Sequence, residues 1–262
     1  MIDFSIVIVS YNTADLIGDC LTSALASEDC EKEIFVVDNA SKDGSADIVR
    51  RQFSGVHLVA NVENRGFAAA NNQVLPMCRG RYIFFLNPDT TLPPKTLKTL
   101  GNFLEAHPRV GLAGARMINP DGTDQESVSW RYPGEKFTAG ELTGLPGRIA
   151  CVLGAAMAAR AEIIRAVNGF DESFFLYGED EDLCLRIRKA GYEIGYAEDA
   201  VVMHIGGQSE RQSQSDERWR KKVRAEYQFY RTHYLPETVA RIRRADILKA
   251  RWRIFSLQAT MP

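Results

Sequence analysis

Four apolar runs govern what this chain can fold into: FSIVIVSYN, EIFVVDNASKDGS, VHLVAN and YIFFLNPDT. The first is a continuous β-branched run, the pattern of a strand covered on both faces; the second reads as another buried strand, the third as a short strand and the fourth as a strand ending in an acid. Between the first two, Leu16, Ile17, Cys20, Leu21, Ala24 and Leu25 recur at helical spacing. A helix is predicted from near Ser45, and VENRGFAAANNQVLPMC reads as a loop running into another. Strands alternating with helices form right-handed βαβ units and a mostly parallel sheet, an α/β architecture. Such sheets bind ligands at the carboxyl ends of their strands. Every run here ends there in polar groups: Ser10, Tyr11 and Asn12; Asp38 and Asn39; Asn64 and Arg65 after the third; Asn87 and Asp89.

Further along, a helix is expected over 92–107 with a Pro-Pro start. Residues 111–150, rich in Gly and Pro, read as irregular, and a small-residue strand then leads to a helix over 160–167. In YGEDEDLCLRIRKAGY four consecutive acids, Glu179 to Asp182, precede an apolar helical stripe of Leu183, Ile187 and Ala190. Gly191 suits the helix C-terminus and Arg186, Arg188 and Lys189 its last turn. One or two acids complement a helix N-terminus; four exceed what capping requires. YEIGYAEDAVVMHIGG reads as two short strands. GGQSERQSQSDE reads as a hinge into a helical, basic, aromatic tail. This divides the chain into an α/β body, 1–210, and a tail, 211–262.

Charge supports that division. From Arg211 onward 13 Lys/Arg stand against 5 Asp/Glu, whereas residues 1–210 carry 19 against 29. An acidic body argues against nucleic-acid binding. The tail segments RWRKKVRAEYQFYRTHYL and ARIRRADILKARWRIF suit either an anionic membrane surface or packing on the domain or a second subunit, a homo-oligomer. The five cysteines are scattered and without CxxC spacing, which argues against a disulfide framework and a structural zinc site. Neither a signal peptide nor an apolar run of membrane-spanning length is found, so the expected location is cytoplasmic, with peripheral contact at the inner face of the membrane through 213–262.

Several chemistries are excluded by what is missing. SYNTADLIG lacks the GxGxxG of dinucleotide-binding folds, and no GxxxxGK[ST] loop occurs. Asp38 can accept hydrogen bonds from a ribose or a base, or simply serve the turn DNASKDGS. Asp89 in NPDT can hold Mg²⁺ or Mn²⁺ against substrate phosphates, or be part of an Asn-Pro-Asp turn. His204 gains meaning only if Asp89 needs a second ligand.

Taken together, SIVIVSYN, VVDNASKDGS, NRGFAAANN, FLNPDT, GFDESFFLYGEDEDLCLRIRKAG and HIGGQS resemble family 2 glycosyltransferases of the GT-A fold, most closely bacterial rhamnosyltransferase-like members. The resemblance covers residues 4–210. It implies a Rossmann-like sheet and a metal-dependent, inverting transfer from a nucleotide diphosphate sugar, dTDP-rhamnose first and UDP-sugars next, to a glycan or lipid-linked acceptor. By it, Ser10, Tyr11, Asn12, Asp38, Asn64, Arg65, Gly66, Asn87 and Asp89 contact the nucleotide. Asp89 and His204 hold the divalent cation, Mg²⁺ or Mn²⁺. Asp180 is the catalytic base, with Glu179 and Asp182 as neighbouring acids and Asp182 the second candidate. Asn87 departs from the family's DxD pattern by replacing its first acid, removing a charge. The helix N-terminus is expected to keep Asp180 ionised. The alternatives are a sugar nucleotidyltransferase, disfavoured by the missing Gly-rich start and lysine, and a non-catalytic sugar-nucleotide-binding scaffold.

Overall fold

In a computed structural model, residues 2–206 and 215–259 are described. The expected βαβ succession is present: β1 (Phe4–Ser10), α1 (Ile17–Leu25), β2 (Lys32–Asp38), α2 (Ser45–Gln52), β3 (His57–Ala60), α3 (Phe67–Val74) and β4 (Tyr82–Leu86). There follow β5 (Thr90–Thr91), α4 (Thr96–Ala106), β6 (Val110–Ile118), β7 (Val128–Ser129), β8 (Cys151–Val152), β9 (Ala156–Arg160) and α5 (Ala161–Ala166). The chain continues through α6 (Glu179–Lys189), β10 (Glu193–His204), α7 (Ser215–His233) and α8 (Pro236–Ala259).

Eight strands form one sheet in the order β3-β2-β1-β4-β9-β6-β10-β5. β1 pairs in parallel with both β2 and β4, so strand order reverses between them and opens a crevice at their carboxyl ends. Alternate residues of the central strands face opposite sides. Val7, Val9, Phe35, Val37, Ile83 and Phe85 meet α3, α5, α6 and α7, whereas Ile6, Ile8, Ile34, Val36 and Phe84 meet α1, α2 and α4. Each fully buried aliphatic side chain stabilises the fold by about 1.5–3 kcal/mol, so these double-faced runs anchor the strand ends on which the polar residues sit.

Three expectations are corrected. Part of the stretch read as irregular, 111–118, belongs to the buried interior strand β6. Its small residues are required by close approach: a Cβ at Gly114 would lie 2.6 Å from Val152 Cβ, and one at Gly111 2.9 Å from Ile187 Cγ2. The two short strands expected near the end of the body are one, β10, whose register against β6 shifts between Ala197 and Val201, placing Glu198 and Asp199 in solvent. Of the two readings the tail sequence allowed, packing on the domain applies to α7 and the start of α8. Phe229, Tyr230, Tyr234 and Ile242 share one core with Leu183 and Leu185 of α6, and α7 thereby spends its apolar face on the body. The apolar residues of α8 are spread around the helix rather than gathered on one side, so it is not the amphipathic helix expected. Most of the hinge, 207–214, lies outside the described residues.

Candidate active site

Asp89 and His204 lie far apart in sequence and are joined by the sheet edge. β5 pairs antiparallel with the end of β10, setting His204 opposite Thr90, and the Ile205 N–H donates to the Asp89 carbonyl (3.0 Å). This puts Asp89 Oδ1 3.4 Å from His204 Nε2. Both atoms are buried, and neither has a hydrogen-bond partner among the described residues. Buried polar atoms are rarely left without partners, and a carboxylate oxygen and an imidazole nitrogen converging on one space fit a shared cation.

α6 supplies the opposite wall. Gly178, at φ +82°, turns the chain into the helix, and all four acids fall in its first turn. Asp180, half-buried, accepts from the Gly154 N–H at Oδ2 (3.0 Å) and from the Glu181 N–H at Oδ1 (2.9 Å). The missing side chain at Gly154 permits this approach, because a Cβ there would stand 3.3 Å from Asp180 Cβ. A cavity of about 470 Å³ connects the two walls; Asn87, Asp89, Glu179, Asp180, Glu181 and His204 line it, together with Arg218 and Lys222 of α7.

Electrostatics in this cavity depart from the expectation of a freely ionised Asp180. Burial raises its pKa, outweighing the two backbone donors. Glu179 is pushed up to about 8 by burial and then by the Asp180 charge, and Glu181 also to about 8 for the same reasons. Glu179 Oε2 is buried without a hydrogen-bond partner among the described residues. Asp182 stands apart, fully buried outside the cavity lining. It accepts from Arg186 Nε (2.7 Å) and His233 Nε2 (2.8 Å). Although burial opposes ionisation, these two partners hold its carboxyl below the usual range. Asp182 therefore anchors α7 to α6 and does not face the cavity.

The remaining residues expected to contact the nucleotide gather at the adjacent strand ends around Asn39. Its Nδ2 donates to Asn64 Oδ1 (2.8 Å) and the Gly66 carbonyl (3.1 Å), while Oδ1 accepts from the Arg65 N–H (3.0 Å) and Asn61 Nδ2 (3.1 Å). Gly66, at φ +84°, sits so close to Phe175 that a Cβ would meet its carbonyl oxygen at 2.6 Å. Asp38 Oδ2 caps the Ser41 N–H (3.0 Å), and its buried Oδ1 has no hydrogen-bond partner among the described residues. The Ser10 hydroxyl is fully buried against Thr13, and Asn12 Oδ1 accepts from the Lys42 N–H (2.8 Å), so both build the loop. Tyr11 and Arg65 are exposed beside it, outside the cavity lining. Sequence reasoning missed Asn39 as the hub, Gly154 as the seat of Asp180, and Arg218 and Lys222 as cavity residues. The strand-end position of Asn39 was a usable signal, whereas nothing local reveals the others.

Comparison with known proteins identifies the family and the fold. The model of "Glycosyl transferase family 2" matches residues 5–167, more than half of the chain. N-acetylglucosaminyl-diphospho-decaprenol L-rhamnosyltransferase of Mycobacterium tuberculosis is 23% identical over 229 residues, covering 76% of this chain and 75% of that protein. Two solved structures share the fold. S. aureus TarS 1–349 in complex with UDP-GlcNAc superposes with a TM-score of 0.63 at 21% identity, over 86% of this chain and 66% of its own. Mannosyltransferase PcManGT from Pyrobaculum calidifontis, in complex with GDP-Man and Mn²⁺, gives 0.63 at 20% identity, over 90% and 66%. A mostly parallel sheet whose order reverses beside a strand-end acid, two solved structures of the same fold, and a family match running from β1 through α5, which includes that acid, all point one way: the chain has the GT-A fold and belongs to glycosyl transferase family 2.

Proposed function

We propose that this chain is an inverting, metal-assisted glycosyltransferase acting in cell-surface polysaccharide synthesis. It moves rhamnose from dTDP-rhamnose, or next a sugar from a UDP donor, to a hydroxyl of a glycan or lipid-linked acceptor. The observation that carries this reading is the buried, unpartnered pair Asp89 Oδ1 and His204 Nε2 on the same cavity as Asp180. The rhamnosyl choice is supported by the mycobacterial relative, whose name states that activity.

Among the described residues no group of three or more His, Cys, Asp or Glu forms a metal cage. Two protein ligands suit a cation that completes its shell with substrate phosphates. Asp89 and His204 would hold it, and when bound it supplies positive charge to the departing diphosphate. Asp180, seated by Gly154, takes the proton of the acceptor hydroxyl as its oxygen bonds to the anomeric carbon. The anomeric carbon–oxygen bond breaks, and its electron pair leaves with the nucleoside diphosphate. A base with a raised pKa is better matched to the proton it must accept. Arg218 and Lys222 place positive charge at the cavity rim. Peripheral membrane contact would use Trp219, Ile247, Leu248 and Trp252, all exposed; among the described residues no helix is long and apolar enough to cross a membrane.

The test is calorimetric titration of dTDP, UDP and GDP, each with and without Mn²⁺. Metal-dependent binding of dTDP is expected, and Asp89→Ala should abolish the metal response. Binding of none of the three would favour a non-catalytic scaffold and put Asn87 first under suspicion.

A further inference from the structure

The turn NPDGTDQ after β6, read in sequence only as irregular, ends beside the candidate metal ligand. Its backbone is fixed at both ends: the Asn119 N–H donates to the Thr123 carbonyl (2.7 Å), and the Gln125 N–H to the Met117 carbonyl (2.8 Å). Gln125 is thereby held against the end of β10. Its Nε2 donates to the His204 backbone carbonyl (2.6 Å) and to Asn119 Oδ1 (2.7 Å), and its Oε1 lies 2.9 Å from His204 Nδ1.

The direction of these bonds is determined twice over. A backbone carbonyl can only accept, so the Gln125 amide nitrogen must face the His204 carbonyl and its oxygen must face Nδ1. At the other end, the Thr123 hydroxyl donates to the Asp121 carboxylate, which can only accept (2.6 Å). That leaves the Thr123 oxygen to accept from Asn119 Nδ2 (2.9 Å), which turns Asn119 Oδ1 toward Gln125. Both ends demand the same orientation. Gln125 Oε1 must accept, so the ring proton sits on Nδ1, and in the neutral ring the lone pair is on Nε2, the atom 3.4 Å from Asp89 Oδ1.

We infer that Gln125 is a positioning residue: the Asp121–Thr123–Asn119–Gln125 chain fixes the ring orientation and tautomer of His204 so that Nε2 offers its lone pair to the cation shared with Asp89. The cation itself rests on the function proposed above. Hydrogen bonds of this kind to a ligating histidine raise its basicity and hold its aim, and losing one typically weakens metal affinity about 10- to 100-fold.

Two measurements on the full chain test the inference. Nitrogen-15 NMR of the metal-free protein, at a pH where the ring is neutral, should find the His204 proton on Nδ1. In Gln125→Leu the proton should redistribute toward Nε2, whereas Gln125→Glu, which still accepts, should keep it on Nδ1. Mn²⁺ titrated in the presence of dTDP or UDP should bind Gln125→Leu about 10- to 100-fold more weakly than wild type. A proton on Nε2 in the wild type overturns the inference, as does Gln125→Leu with wild-type Mn²⁺ affinity beside a defective His204→Ala. An unaltered Mn²⁺ affinity in His204→Ala would instead overturn the cation reading of the site.

Discussion

Asp180 owes its place to two backbone N–H groups and its raised pKa to burial. Removing its basicity while keeping its shape isolates the proton transfer. Asp180→Asn is expected to lower kcat by about 10²- to 10⁴-fold, the usual contribution of a general base, with the donor dissociation constant unchanged. Single-turnover kinetics beside donor calorimetry checks this; near-normal turnover would remove the assignment. Glu179 makes a pH prediction. Its pKa rises from an ordinary 4.5 to about 8 in the fold, so between those values the native state binds the extra proton. Stability from this group is full below about 4.5 and is lost as pH rises through about 8. Glu179→Gln should flatten that decline, seen as a smaller fall in Tm between pH 5 and 8 without divalent cation. A slope equal to wild type would contradict the shift. The acids were legible in the sequence as an excess over capping, but not the direction of their titration, because burial is set by β8, β9 and α7 around them.

At the scale of elements, α6 and α7 meet through a polar cluster on His233, which reaches Asp182 at 2.8 Å and Lys189 at 3.2 Å, beside an apolar seam. Asp182 is fully buried, and His233 reaches it from α7 while the His233 ring packs 4.7 Å from that of Phe229. His233→Ala leaves Asp182 with Arg186 alone and should destabilise the protein by about 1–3 kcal/mol, measured by denaturant unfolding. A change within error would mean that α7 is held by its apolar residues only. The sequence placed α6 and its charged first turn correctly, and gave Asp182 as a second base. Its spacing is that of a helix neighbour of Asp180, and only the packing of α7 shows that it faces away from the cavity. β6 escaped notice for the opposite reason. Its Gly and Ala residues look like a loop, yet neighbours within 3 Å of a Cβ position make them the condition for an interior strand.

For the whole molecule, the tail is two things. Its first part, through Ile242, completes the core; beyond it α8 is largely exposed, with Leu248 and Trp252 at 65% and 70%. A chain ending after residue 243 should keep its thermal stability and nucleotide binding but lose sedimentation with anionic vesicles, whereas one ending at 213 should lose stability. Unaltered vesicle binding in the first would sink the membrane contact. The alternation of apolar runs and helices determined the parallel half of the sheet, β3-β2-β1-β4, by itself, because strand burial and the handedness of βαβ crossovers leave few arrangements, and the strand-end polar residues followed from it. What only the tertiary structure decided is which distant groups meet. His204 reaches Asp89 through the antiparallel β5–β10 edge, Gln125 reaches His204 through a turn, and α7 closes the cavity. Those meetings depend on contacts between residues far apart in the chain, which no local pattern of periodicity or charge encodes.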